Sequence, residues 1–240
     1  MCPMWSTRFR SRIRSDRPFR GESRGARAQA ISLLSALLST AVISTAFMPT
    51  AQADTLRYEA FIAGAMAGSA TVNIDVVDDR YEVTGTAEAD GVADVFSEWR
   101  TQFQAHGQLV GETPLPTEYS YVERDDDQRR EITVRDGVFV YFKNGRKRRE
   151  GASPEGLDVL SALFVQPSCE AERAVHTGRK HFRMTRVETD RKGVCRYRIV
   201  DEDRDRYHAD IRFGRRGQLT VPVSITVRGF LTAKVVLVDQ

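Results

Sequence analysis

The feature that most constrains the fold is a change of hydrophobic period within residues 54–240. Apolar and polar residues alternate along nearly all of this part of the chain, as in β-strands that bury one face. One stretch departs from the alternation. In Gly156–Cys169, Leu157, Leu160 and Phe164 recur at helical spacing. The pattern therefore predicts one short apolar helix in a chain of strands.

The signals that flank this stretch define the predicted helix. Ser153 and Pro154 are typical of a cap and first turn, and Pro167 stops the run. A helix of about ten residues is not stable in water alone, so its apolar face must be buried on a sheet. We therefore expect a sheet that curls around the helix.

The alternating segments predict about eleven short strands between Leu56 and Asp239, separated by turn signals such as Asp136-Gly137. A second, shorter helix is predicted in Gly91–Trp99, where the alternation breaks. A parallel sheet would require a repeated pattern of strand and crossover helix, and the sequence does not show one. The predicted fold class is mainly β: a highly curved antiparallel sheet, as a half-open barrel or β-spiral, wrapped around a short central helix.

The first 53 residues have the pattern of a cleavable signal peptide. Eight arginines lie within residues 1–27, an apolar run follows in Ala30–Phe47, and Ala51-Gln52-Ala53 precedes Asp54. The alternative is a retained membrane anchor, since the apolar run approaches the length that spans a bilayer. We expect cleavage, which leaves residues 54–240 as a single β-rich periplasmic domain of a Gram-negative envelope.

Loss of the leader changes the charge of the protein. Residues 54–240 hold 28 Lys plus Arg and 31 Asp plus Glu, so their net charge is −3 (28 minus 31). The basic balance of the whole chain belongs largely to the leader. Charge therefore provides no argument for nucleic-acid binding.

Two cysteines, Cys169 and Cys195, remain after Cys2 is removed with the leader. An even pair in an oxidising compartment predicts a disulfide that joins the end of the helix to a later strand. A redox-active or metal-binding pair is the alternative. It has less support, because there is no C-x-x-C spacing and no adjacent histidine.

Motifs that would indicate catalysis are missing from the sequence. His176 and His181 are five apart but belong to no metal-binding pattern, and no G-x-S-x-G or phosphate-binding loop is present. Ser161 lies in the predicted helix, where a hydroxyl bonded to its own backbone is the simpler expectation than a nucleophile. We expect a protein without enzymatic activity, cofactor or metal.

The helix supplies the candidate core or ligand-facing residues. Among these, Asp158 lies near the predicted helix N-terminus, where an acid caps the helix; a ligand-facing role is the alternative. The five candidates are Leu157, Asp158, Leu160, Ser161 and Phe164.

A basic segment before the helix is the candidate electrostatic contact. Five cations within seven residues suit anionic lipid head groups or another acidic polymer of the envelope. A solvated loop balanced by Glu150 and Glu155 is the alternative. The five are Lys143, Arg146, Lys147, Arg148 and Arg149.

Four segments together resemble an exported bacterial family, domain of unknown function 3108. They are Leu56 to Gly68; Gly107 with Pro116-Thr-Glu-Tyr119; Leu157-Asp158-Val-Leu160-Ser161; and Val221-Pro222-Val-Ser-Ile225. The resemblance implies an exported, largely antiparallel β protein without an established enzyme activity. The cysteine pair is a departure from the family pattern. The expected disulfide-stapled spiral is also similar to envelope-integrity proteins and, more loosely, to lipoprotein carriers with a half-open barrel.

These observations favour a non-enzymatic periplasmic protein that supports the cell envelope or binds a component of it, such as lipid, lipoprotein or peptidoglycan. One alternative is a lipid or lipoprotein carrier, which requires an apolar cavity of a few hundred Å³ beside the helix. A second is a hydrolase of envelope polymers, which requires His, Asp or Glu to converge in a cleft.

Overall fold

A computed structural model describes residues 54–91, 98–188 and 193–238, and these residues form one sheet of fifteen strands. The strands are β1 (Asp54–Ile62), β2 (Ala65–Val77), β3 (Arg80–Ala89), β4 (Arg100–Val110), β5 (Thr113–Asp125), β6 (Gln128–Arg135), β7 (Val138–Lys143), β8 (Arg146–Ala152), β9 (Leu157–Asp158), β10 (Glu172–His176), β11 (His181–Val187), β12 (Val194–Asp201), β13 (Arg206–Arg216), β14 (Leu219–Arg228) and β15 (Thr232–Val238).

The first and last strands of the chain pair in the middle of the sheet. From β1 the order runs outward through β2 to β8 on one side, and from β15 through β14 to β9 on the other. Every neighbouring pair is antiparallel except β9 and β10, which are parallel. The sheet is not closed, because β8 and β9 form its two separate ends.

The helix α1 (Ser161–Val165) is a single π-helical turn, and residues 159–160 before it are α-helical. It is shorter than predicted from Gly156–Cys169, because Leu157 and Asp158 extend to pair with β10. The predicted start at Ser153 and Pro154 is also wrong. The Ser153 hydroxyl bonds only to the Pro154 carbonyl, at 3.2 Å.

The sheet bends around α1. The helix contacts β3 and β5 on one side of the sheet order and β14 on the other. Strands β5 and β14 are six positions apart, which is roughly 29 Å in a flat sheet at about 4.8 Å per strand. A five-residue helix cannot touch both strands unless the sheet curves, so α1 lies on the concave face.

Two apolar clusters flank the helix. The larger lies on strands β1 to β7, β14 and β15 and includes Tyr58, Tyr81, Ile74 and Phe164. The smaller lies on β10 to β14 and includes Ala162, Tyr197 and Ile211. Thus Phe164 packs in the larger cluster, whereas Ala162, two residues earlier in the same helix, packs in the smaller one.

The prediction of about eleven strands is wrong, because β8, β9 and β10 were missed. Strand β8 is Arg146–Ala152, which is highly charged and has no apolar alternation. The predicted signal peptide (residues 1–53) lies outside the described residues. Most of the predicted second helix, residues 92–97, does so as well.

The predicted disulfide is present and joins Cys169 to Cys195, with the two Cα atoms 5.5 Å apart. Cys169 lies shortly after α1, whereas Cys195 is buried on β12. The bond therefore fastens the chain that leaves the helix to strand β12 within the smaller cluster.

Candidate functional site

Asp158 organises the N-terminal end of α1. Its side chain has no solvent exposure. Oδ1 accepts hydrogen bonds from the backbone N–H groups of Leu160 at 3.0 Å and Ser161 at 2.9 Å. These two donors have no partner inside a helix, so Asp158 satisfies them as a cap does. Burial raises the pKa of Asp158, and its hydrogen bonds with Ser161 and Leu160 oppose that effect.

Ser161 extends this polar contact to strand β3. Its hydroxyl donates to Asp158 Oδ2 at 2.6 Å and lies 2.8 Å from the Tyr81 hydroxyl. The expectation that this hydroxyl bonds to its own backbone is wrong, because its partners are the side chains of Asp158 and Tyr81. Gly107 leaves room for Tyr81, because a Cβ at Gly107 would lie 2.5 Å from the Tyr81 hydroxyl. Burial raises the pKa of Tyr81 to about 12.

His176 lies beside this cluster, opposite Asp158 in the parallel pairing of β9 and β10. Its Nδ1 accepts a hydrogen bond from Gly178 N–H at 3.1 Å, and its ring meets the Tyr119 ring edge to face at 6.1 Å. Burial, with a smaller effect from His181, lowers the pKa of His176 to about 4. The imidazole is therefore neutral at neutral pH.

The arrangement of Asp158, Ser161 and His176 does not form an open cleft. The three residues are at most 4% exposed, and the Ser161 hydroxyl is already engaged by Asp158 and Tyr81. A nucleophile must reach its substrate, and this hydroxyl has no free approach. The cluster instead fixes the position of α1.

Arg173 of β10 holds the other end of the helix. Its guanidinium donates to the Ala162 carbonyl at 3.0 Å and to the Gln166 carbonyl at 2.8 Å. A cation that binds the last carbonyls of a helix is favourable. Glu170 lies 3.8 Å from Arg173 Nε, so a partly exposed carboxylate balances the buried charge.

Next to this helix lies an apolar space of about 420 Å³, the aliphatic cavity. From the helix side, Val159, Ala162 and Leu163 border it. The inward-facing residues of β10 to β14 form the opposite wall, which includes Val175, Met184, Ile199, Ala209, Ile211 and Ile225. Such a space is larger than the voids of a close-packed core and lies in the size range of ligand sites.

Polar groups at one end of the aliphatic cavity are paired with each other. Lys180 Nζ lies 2.8 Å from Asp201 Oδ2 and 2.9 Å from Asp203 Oδ2. Asp201 Oδ1 also accepts the backbone N–H groups of Asp203 and Asp205. The hydrogen bond from Lys180 lowers the pKa of Asp201, and both carboxylates raise the pKa of Lys180.

A second space of about 540 Å³, the aromatic cavity, lies toward β4 to β7. Its walls include Trp99, Phe103, Tyr119, Tyr121 and Tyr141. The ion pair between Arg130 and Glu123 also borders it, as does Arg179.

The β10–β11 turn (residues 177–180) reaches across the concave face to the opposite strands. A Cβ at Gly178 would lie 2.5 Å from the Ile132 side chain of β6, and the guanidinium carbon of Arg179 lies 5.6 Å from the centre of the Tyr141 ring on β7. The turn therefore separates the two cavities.

The predicted anionic-surface residues lie away from the helix, on the hairpin β7–β8. Lys143 ends β7, and the exposed Arg146, Lys147, Arg148 and Arg149 belong to the edge strand β8 rather than to a loop. Lys147 pairs with Glu150 at 2.6 Å, and Arg149 lies over the Phe139 ring. Cations on an edge strand discourage pairing with another sheet, which gives them a structural role in addition to the predicted contact.

The candidate residues of the helix segment have separate positions. Asp158 and Ser161 form the polar cluster, Leu160 and Phe164 belong to the larger apolar cluster, and Leu157 packs against the smaller one. Sequence reasoning did not identify Arg173 or Lys180 as site residues. No local signal marked Arg173, because Glu172–His176 shows no alternation of apolar and polar residues.

Within residues 54–91, 98–188 and 193–238, no group of three or more His, Cys, Asp or Glu side chains is placed to hold a metal ion. Within the same residues, no helix has the length and apolar character needed to cross a membrane.

Comparisons with known proteins identify no family. No family model matches the chain, and no curated protein matches it. A crystal structure of a beta-barrel-like protein of domain of unknown function DUF1849 from Brucella abortus is similar over 78% of this chain and 94% of that chain. The identity is 12% and the TM-score 0.40, too low to support an argument. The resemblance to domain of unknown function 3108 stays a prediction.

Proposed function

We propose that this protein is a non-enzymatic component of the Gram-negative periplasm that binds an acyl chain of a lipid or lipoprotein in the aliphatic cavity. The fold in this proposal is a half-open β-spiral of the envelope-integrity and lipoprotein-carrier kind. In the same proposal, residues 1–53 of the protein are a signal peptide that is cleaved on export.

The aliphatic cavity is the observation that carries the proposal. Its volume of about 420 Å³ lies beside α1, and aliphatic side chains of both the helix and the sheet border it. Burial of apolar ligand surface against such walls contributes roughly 25 cal/mol per Å². Lys180 and Asp201 at its border are already paired with each other, and most of the lining is aliphatic, so the space favours a chain of methylene groups over a polar ligand.

The carrier alternative required an apolar cavity beside the helix, and this geometry meets that requirement. The hydrolase alternative required an open group of titratable residues. Asp158 bonds to Ser161 and pairs with His176 along the strands, but all three residues are buried. The acyl-binding function is therefore the better supported of the two.

The experiment is native mass spectrometry and lipid extraction on protein purified after expression of the full chain in a Gram-negative host. Two variants on neighbouring positions of β14 form a matched pair. Ile225→Trp fills the aliphatic cavity, whereas Thr226→Trp places the same side chain on the opposite face of the strand. Circular dichroism checks that each is folded, and Val227→Trp, at another lining position, replaces Ile225→Trp if that variant is not.

We expect an acyl-chain mass on the wild type and on Thr226→Trp, and none on Ile225→Trp. A wild-type protein that carries no lipid and binds no added palmitate would overturn the proposal. N-terminal sequencing of the same sample tests export, since cleavage after Ala53 leaves Asp54 as the first residue.

A further inference from the structure

The aliphatic and aromatic cavities adjoin each other. Val159, Thr177 and Lys180 border both of them. Val159 belongs to the segment that leads into α1, and the other two belong to the β10–β11 turn. A ligand that occupied both cavities would therefore have to pass this turn.

The two cavities differ in chemistry. Aliphatic side chains dominate the first, whereas Trp99, Tyr121 and Tyr141 in the second carry a polar N–H or O–H group on an apolar ring. Such side chains suit a boundary between apolar and polar material. An extended molecule with one apolar end and one polar end fits this change from an aliphatic to a partly polar lining.

The cations that border the aromatic cavity differ in whether they have a carboxylate partner. Arg130 pairs with Glu123, and Lys180 pairs with Asp201 and Asp203. Arg179 is exposed and lies over the Tyr141 ring, and no carboxylate of the described residues forms an ion pair with it. Its guanidinium is thus available to an anion at the turn between the cavities.

We propose that the acyl ligand is an amphiphile with an anionic head group: its chain lies in the aliphatic cavity and its head group lies in the aromatic cavity against Arg179. This inference rests on the proposed acyl-binding function and adds the charge and position of the head group. A phosphate or carboxylate accepts hydrogen bonds from the guanidinium while the aromatic rings cover the first part of the chain.

The test uses displacement of the uncharged fluorescent probe N-phenyl-1-naphthylamine from the purified protein. Two competitors share a palmitoyl chain but differ in charge: palmitoyl lysophosphatidylglycerol is anionic and monopalmitoylglycerol is neutral. Arg179→Gln removes the proposed contact, Arg179→Lys retains the charge, and Arg183→Gln removes an exposed arginine from β11 as the control.

We expect Arg179→Gln to weaken displacement by the anionic competitor about fivefold, as for one partly exposed ion pair. Displacement by the neutral competitor should be unchanged. Arg179→Lys should recover most of the loss, and Arg183→Gln should match the wild type.

Two results would overturn the head-group assignment. In the first, Arg179→Gln leaves displacement by both competitors at the wild-type level, as Arg183→Gln does; in the second, it weakens displacement by both competitors equally. In either case, if Ile225→Trp abolishes binding of the fluorescent probe, the acyl-binding proposal still stands. If neither competitor displaces the probe from the wild type, both proposals fail.

Discussion

The two sides of the segment around α1 are packed in different ways. Toward β3, Asp158, Ser161 and Tyr81 form a chain of short hydrogen bonds, and toward β1, Phe164 meets the Tyr58 ring at 6.1 Å. Toward β10 to β14, Ala162 and Leu163 face the aliphatic cavity. The first side is held by a chain of side-chain hydrogen bonds, while aliphatic space borders the second.

This difference explains how the cavity persists. Apolar side chains alone would let the helix move into the space, since the hydrophobic effect has no direction. The bonds of Asp158 at one end of α1 and of Arg173 at the other fix its position. The following predictions test this contrast, from the largest expected effect to the smallest.

The disulfide should be the strongest restraint on the cavity side. Cys169→Ser opens a loop with a sequence separation of 26 residues, which corresponds to about 3.5 kcal/mol of chain entropy. We expect the melting temperature to fall by about 10 °C under oxidising conditions. Thermal unfolding with thiol quantification measures this. Equal melting temperatures, with free thiols in both proteins, would show that the disulfide does not stabilise the protein.

On the hydrogen-bonded side, Asp158→Ala leaves the Leu160 and Ser161 N–H groups without acceptors. Buried donors without partners should lower the free energy of unfolding by about 3 kcal/mol, which urea denaturation measures. Ser153→Ala, at the predicted cap, is the matched control and should change it by less than about 0.5 kcal/mol. Similar effects for both variants would contradict the role of Asp158.

The pH dependence of stability should reveal His176. Its pKa falls from 6.5 to about 4 in the folded protein because burial disfavours the cation. Between pH 6.5 and pH 4, only the unfolded chain gains a proton at this residue. The free energy of unfolding therefore has its full value above pH 6.5 and decreases as the pH falls toward 4. Asp158, whose raised pKa favours folding at low pH, acts in the opposite direction.

His176→Asn retains an acceptor for Gly178 N–H but does not titrate in this range. Between pH 7 and pH 4, we expect the wild type to lose about 2 kcal/mol more free energy of unfolding than this variant. Urea denaturation at several pH values provides the comparison. Parallel pH profiles would show that His176 is not the responsible group.

A glycine pair isolates the contact between the β10–β11 turn and β6. Gly178 and Gly145 both have φ of +73°, but a Cβ would meet Ile132 at 2.5 Å at Gly178 and nothing within 4 Å at Gly145. Both alanine variants carry the same backbone strain. Gly178→Ala should therefore cost about 1 kcal/mol more than Gly145→Ala. Equal costs would mean that the turn is not held against β6.

Alternation in the sequence was sufficient to predict most strands, because each buries one face. It failed for β8, whose charged residues at the sheet edge need no buried face, for the two-residue β9, and for β10, whose sequence does not alternate. The helix was predicted in the correct place but too long. Backbone pairing of Leu157 and Asp158 with β10 took precedence over their helical spacing.

The candidate site depended on contacts that no local pattern contains. Tyr81 and Ser161 are 80 residues apart in the sequence, and their hydrogen bond exists only because the sheet bends around α1. The cavities likewise depend on how far the curved sheet stands from the helix. Sequence patterns indicate which side chains face inward but not whether they fill the space between them.

The central claim is that an acyl chain lies in the aliphatic cavity, and isoleucine methyl NMR tests it most directly. Ile199, Ile211 and Ile225 line this cavity, whereas Ile62 and Ile74 line neither the aliphatic nor the aromatic cavity. On addition of palmitate, we expect the methyl signals of the first three to shift and those of the other two to remain in place. No shift, or equal shifts at all five, would contradict the account.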